Sequence, residues 1–146
     1  MRWDSAAIRS GATVSLVFAV PLSIAARLAA EDDNSGLATW LVLGAIVGFV
    51  IGAGCAAWQQ QAGTPLSHGM VTAGGTYLAA QAVFVMVRLV RSETVNWFAL
   101  FFNLSFVLVA GVVGGVLGQR LQAGGFQPSH TRRPKPGKKA DRSPPA

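Results

Sequence analysis

The sequence predicts an all-α protein: a transmembrane up-down four-helix bundle over residues 1–118, followed by a disordered basic tail over residues 119–146. Two observations carry this. The 146-residue chain is 51% hydrophobic and only 12% charged, with a mean hydropathy of +0.44. Its charge is also segregated. Five Arg and five acids balance over residues 1–118, while seven bases and one acid in the tail supply the whole formal charge of +6. A water-soluble domain carries roughly 25% charged residues, so the first 118 positions belong in a bilayer. The pI near 10.8 describes a tail rather than a basic domain.

A helix needs about 20 mostly apolar residues to cross about 30 Å of hydrocarbon. Four segments meet that length, at 8–30, 37–58, 69–90 and 95–118. In the first, Arg2 and Arg9 precede the apolar run, which contains Pro21. A signal-peptide reading competes for it, with Ser23-Ile24-Ala25-Ala26 as a small-residue cleavage site; the long apolar run, Asp4 and Arg27 favour an uncleaved anchor. Glu31 to Gly36 form the turn to the second span. After that span, Gln59-Gln60-Gln61-Ala62-Gly63 leads to Thr64-Pro65, where Thr64 is expected to cap the third helix and Pro65 to occupy its first position. Arg91 to Thr94 precede the fourth. Connections this short make sequential helices antiparallel. All four tryptophans, Trp3, Trp40, Trp58 and Trp97, fall near span ends, where amphipathic rings prefer the headgroups.

Four spans put both termini on one side, together with Arg2, Arg9, Arg120 and the tail bases. The opposite side holds Arg27, Arg88, Arg91 and most of the acids, so the positive-inside rule expects cytoplasmic termini. Helix association in lipid needs close packing and hydrogen bonds rather than hydrophobic force. Gly44, Gly48 and Gly52 make a small stripe on the second span, and Gly111, Gly115, Gly114 and Gly118 do so on the fourth. These stripes serve packing within the bundle or, alternatively, a homo-oligomer or other membrane proteins.

No Asp, Glu, Lys or His lies in the middle of a span, which disfavours a proton-coupled transporter. The small multidrug transporters depend on a first-helix glutamate that has no counterpart here. On the third span Met70, Gly74, Tyr77, Gln81, Phe84, Arg88 and Arg91 share a face by their four- and three-residue steps. At about 1.5 Å rise per residue, Gln81 and Asn103 both fall roughly 10–12 Å below the outer surface. The expectation is an uncharged polar layer: Gln81 bonded to Asn103, with Tyr77 and Ser105 nearby. It acts as structural glue, or as a substrate site if a cavity accompanies it.

Catalytic chemistry has no residues to rest on. There is no phosphate-cradling loop, nucleophile elbow or zinc pattern, and Cys55 stands alone. No enzyme activity, cofactor or metal is expected; Glu31-Asp32-Asp33 reads as a solvated loop before it reads as a cation site. His68 is expected to be an interfacial residue. In the tail, five of the seven prolines accompany Arg132, Arg133, Lys135, Lys138, Lys139 and Arg142. This cluster either attracts anionic lipid headgroups or simply fixes topology. Without an aromatic platform it does not suggest nucleic acid.

Three features, the Gly44/Gly48/Gly52 stripe, the hairpin Pro65-Leu66-Ser67-His68-Gly69 and the glycine-rich end Gly111–Gly118, make the chain resemble the small, uncharacterised four-helix membrane proteins of many bacteria. The resemblance covers roughly residues 8–120. It implies a bacterial cytoplasmic-membrane location and no particular activity. The function expected is a helix-packing interaction or scaffold subunit; the alternative is a small transporter or channel component built around Gln81 and Asn103.

Overall fold

The computed structural model describes residues 3–126. It contains four helices among those residues and no strand: α1 (Ser5–Glu31), α2 (Ser35–Gln59), α3 (Pro65–Val90) and α4 (Trp97–Ala123). Each is long and apolar enough to cross a membrane, and the protein is a multi-pass membrane protein. The surface agrees, because large apolar side chains point outward: Phe98 is 78% and Val90 82% exposed. In water such a surface would aggregate; in lipid it is solvated.

Helix ends are set by polar caps rather than by hydropathy. Asp4 and Asn34 accept from the Ala7 and Leu37 amides, and Asn96 from Ala99, at the starts of α1, α2 and α4. Thr64 departs from expectation: it holds the capping position of α3 but makes no side-chain cap bond, because its hydroxyl lies 3.2 Å from His68 Nδ1. Pro65 does occupy the first turn, where it removes no helical bond. Gly63 (φ 75°) takes the left-handed conformation that turns the chain between α2 and α3.

The expected boundary at residue 118 falls inside a helix. Residues 119–123 continue α4, and Gly125 (φ 79°) then lets the Phe126 amide reach the Leu121 carbonyl. Hydropathy stops where the apolar face stops, whereas the hydrogen-bond ladder continues until a residue can close it. The expected tail cluster, Arg132 to Arg142, lies outside the described residues.

Around the bundle the order is α1, α2, α4, α3. Among the described residues α2 and α3 each touch every other helix, and α1 and α4 do not touch. Glycine faces explain the tight contacts. Gly48 packs against Phe18, and Gly52 against Gly11 and Ser15, so this stripe of α2 faces α1; Gly44 meets only the end of Leu22. On α4 the two stripes part company. Gly111 and Gly115 face Gly69, Met70 and Leu66 of α3, while Gly114 and Gly118 face Val50, Gly54 and Trp58 of α2. Apart from Gly44 and Gly48, these contacts lie in the half of the bundle that carries the termini. At the other end, where loops join α1 to α2 and α3 to α4, α1 and α4 do not meet and a cleft opens between them and α3. The result is a wedge, closed at the terminal end and open at the loop end.

Candidate functional site

The open end forms a cleft of about 830 Å³ between the last turns of α1, the second half of α3 and the first turns of α4. Its mouth is set by exposed Glu31, Thr94 and Asn96; its far end along the helices is marked by buried Tyr77 on α3 and by Asn103, itself exposed, on α4. Helix α2 takes no part in the lining. The cleft exists because α1 and α4 do not meet, leaving α3 as the element between them.

The expected polar layer lines this cleft in part. Tyr77, Gln81 and Asn103 are all on its wall, with Phe84 and Arg88 from the same face of α3. Tyr77 is buried, stands edge-on to Phe49 at 6.4 Å, and donates from its hydroxyl to the Leu100 carbonyl at 2.9 Å, tying α3 to α4. The expected Gln81–Asn103 bond does not form: neither side chain makes a hydrogen bond among the described residues, and both line the opening instead. Ser105 is not part of the layer. It is exposed and donates to the Phe101 carbonyl one turn back at 3.2 Å. Two residues beyond Asn103 rotate a side chain by about 200°, which turns Ser105 away from the cleft.

Charge in the cleft is uneven. Arg27 is paired with Glu31 at 3.2 Å on the last turns of α1, an exposed pair of small energetic weight. Outside the cleft wall, Arg91 approaches Glu93 at 4.0 Å. Arg88 makes no ion pair among the described residues, so one positive charge of the wall is unmatched. Asp33 takes a left-handed φ of 57° in the turn after α1. Among the described residues no three His, Cys, Asp or Glu side chains are grouped to hold a metal ion.

A second polar constellation closes the terminal end, and sequence reasoning missed it. His68 is fully buried rather than interfacial. Its Nε2 accepts the Asp4 amide at 3.0 Å, so the ring proton sits on Nδ1 and is donated to the Thr64 carbonyl at 2.8 Å. The Trp3 ring lies 5.4 Å away, tilted by 49°. Asp4 does more than cap α1, since its second carboxylate oxygen accepts the Gln61 amide at 3.3 Å. Gln122, on the unexpected extension of α4, donates to the carbonyls of Trp58 and Gln60 at 2.8 Å each. Trp58 in turn donates to the Phe126 carbonyl. The start of α1, the α2–α3 hairpin and the end of α4 are thereby locked together.

One signal in the sequence pointed there. Thr64, His68, Thr72 and Thr76 recur every four residues along one face of α3, and the last three are buried. Beside them Ser15 is buried at Gly52. The hydroxyls of Ser15 and Thr72 have no partner among the described residues, whereas Thr13 and Thr39 bond the carbonyls four residues back. Comparison of the chain with protein-family models, curated proteins and solved structures found no match.

Proposed function

We propose that this is a small transporter or channel component of a bacterial cytoplasmic membrane, holding a small molecule in the loop-end cleft. The observation that carries the reading is the cleft itself. A volume of about 830 Å³ lies within the range of small-molecule sites, and its wall contains Gln81, Asn103 and Arg88, whose side chains have no partner among the described residues. Polar groups within a membrane seek partners, and these three have theirs to find in water or a ligand. The distribution of arginines supports cytoplasmic termini, which turns the cleft toward the opposite side. The basic cluster from Arg132 to Arg142 is read as holding the tail against anionic headgroups. The reading contains no catalytic step.

The scaffold reading rested on the glycine stripes, and those meet helices of the same chain. Support for it through those faces is therefore weaker than support for the cleft.

The test is retention of a ligand. Ala99 lines the cleft, and Ala99→Phe fills part of it. Native mass spectrometry of the full chain released from its own membranes is expected to show a small molecule on the wild type that Ala99→Phe loses. The reading fails if both proteins carry the same bulk lipid and nothing else.

A further inference from the structure

The cleft's charge and polarity are ordered along its depth, and that order defines a class of ligand. This step rests on the reading of the cleft as a ligand site. Arg88 and Gln81 are seven residues apart on α3, a separation of roughly 10 Å along the helix. Between them the wall is apolar, with Phe84 and Val85 from α3 facing Leu28 of α1. A cation near the mouth, an apolar middle and two amides at depth follow one another in that order.

Arg88 lies in the last turn of α3, where a cation favours the carbonyl end of the helix; Arg27 lies one turn further back on α1, whose last turn holds no base. The two arginines differ in their partners. Glu31 is the one acid on the cleft wall, and it is engaged by Arg27. The first turn of α4, capped by Asn96, also brings the positive end of a helix to the cleft. Among the charged residues of the wall itself, Arg27, Arg88 and Glu31, pairing of Arg27 with Glu31 leaves Arg88 as the one charge without a partner among the described residues.

We infer that the cleft takes an amphiphilic organic anion. Its acidic group sits at Arg88, its apolar body lies along Leu28, Phe84 and Val85, and an uncharged hydrogen-bonding end reaches Gln81 and Asn103. A divalent cation or a purely hydrophobic molecule fits neither end.

The experiment measures equilibrium binding of radiolabelled ω-hydroxydecanoate and of decanediol, which lacks the charge, to the full chain in phosphatidylcholine nanodiscs. Wild type is expected to prefer ω-hydroxydecanoate. Arg88→Gln is expected to weaken it by about tenfold to a hundredfold, the usual worth of a hydrogen bond to a charged group, while leaving decanediol unchanged. Arg88→Lys keeps the charge and is expected to retain most of the preference, which separates loss of charge from loss of fold. Equal binding of both probes by the wild type overturns anion selection while leaving a ligand cleft in place. Binding of neither also overturns the inference, and retention of a native ligand by the wild type over Ala99→Phe then decides whether the cleft holds anything at all.

Discussion

Gly52→Ala is expected to be among the most damaging single methyls that can be added to this protein. A Cβ at that position would collide with Ser15 Oγ and stand 2.6 Å from the Gly11 carbonyl oxygen and 2.9 Å from the Ser15 amide nitrogen. Two of those three atoms are main chain, so no side-chain rotation relieves the overlap. Helices α1 and α2 must separate, and their close contact is the interaction that replaces the hydrophobic effect in lipid. Overpacking in a well-filled interior costs about 1–3 kcal/mol, and a backbone clash belongs at the top of that range. Gly75→Ala supplies the control: nothing lies within 4 Å of its added carbon, and removing a helix-interior glycine is worth about 0.5–1 kcal/mol in the stabilising direction. Unfolding by SDS titration in mixed micelles measures both. Equal stability of the two variants would show that α1 and α2 are not packed at Gly52.

His68→Leu is expected to have the second largest effect, for a different reason. The new side chain is close in volume and apolar, so the membrane environment itself does not penalise it. The loss lies in what remains: the Asp4 amide has no acceptor, while the Thr64 carbonyl loses the ring donor but keeps the backbone amide of residue 68. One orphaned donor costs about 1–3 kcal/mol when buried, and the lost ring bond to the Thr64 carbonyl adds to it. The effect should also be local. Amide hydrogen exchange is expected to rise at Asp4 and at Gln61, which Asp4 holds, before it rises in the middle of α2. Unchanged exchange at Asp4 would mean that the histidine does not hold the start of α1.

These two sites show where sequence reading succeeds and where it stops. The four spans are legible because twenty apolar residues in a row admit few other structures. The glycine stripes are legible as packing faces, since their spacing puts them on one side of a helix. Their partners are not, because Gly111 and Gly114 are three residues apart and serve different helices; that assignment depends on α4 lying between α2 and α3. The period puts Tyr77, Gln81 and Arg88 on one face of α3, and these three line one cleft with Asn103. Ser105 is misread because depth alone says nothing of rotation about the helix axis. His68 is misread because its acceptor role depends on an amide 64 residues away, and no local pattern encodes that pairing. The end of α4 is misread because a polar turn carrying Gln122 looks like the start of the tail until its bonds to α2 are seen.

On this reading the bundle is sealed at the terminal end and open to water at the loop end as far as Gln81 and Asn103. Single cysteines test it directly, after Cys55 has been replaced by alanine. Asn103→Cys and Gln81→Cys line the cleft, Ser105→Cys lies on the exposed outer face of the same stretch of α4, and Thr72→Cys lies in the sealed half. A membrane-impermeant, charged thiol reagent applied to the protein in a bilayer is expected to label the first two and to leave the last two unmodified. Labelling of Asn103→Cys no faster than of Ser105→Cys would contradict the claim, because it would mean that no water-filled cleft reaches that depth.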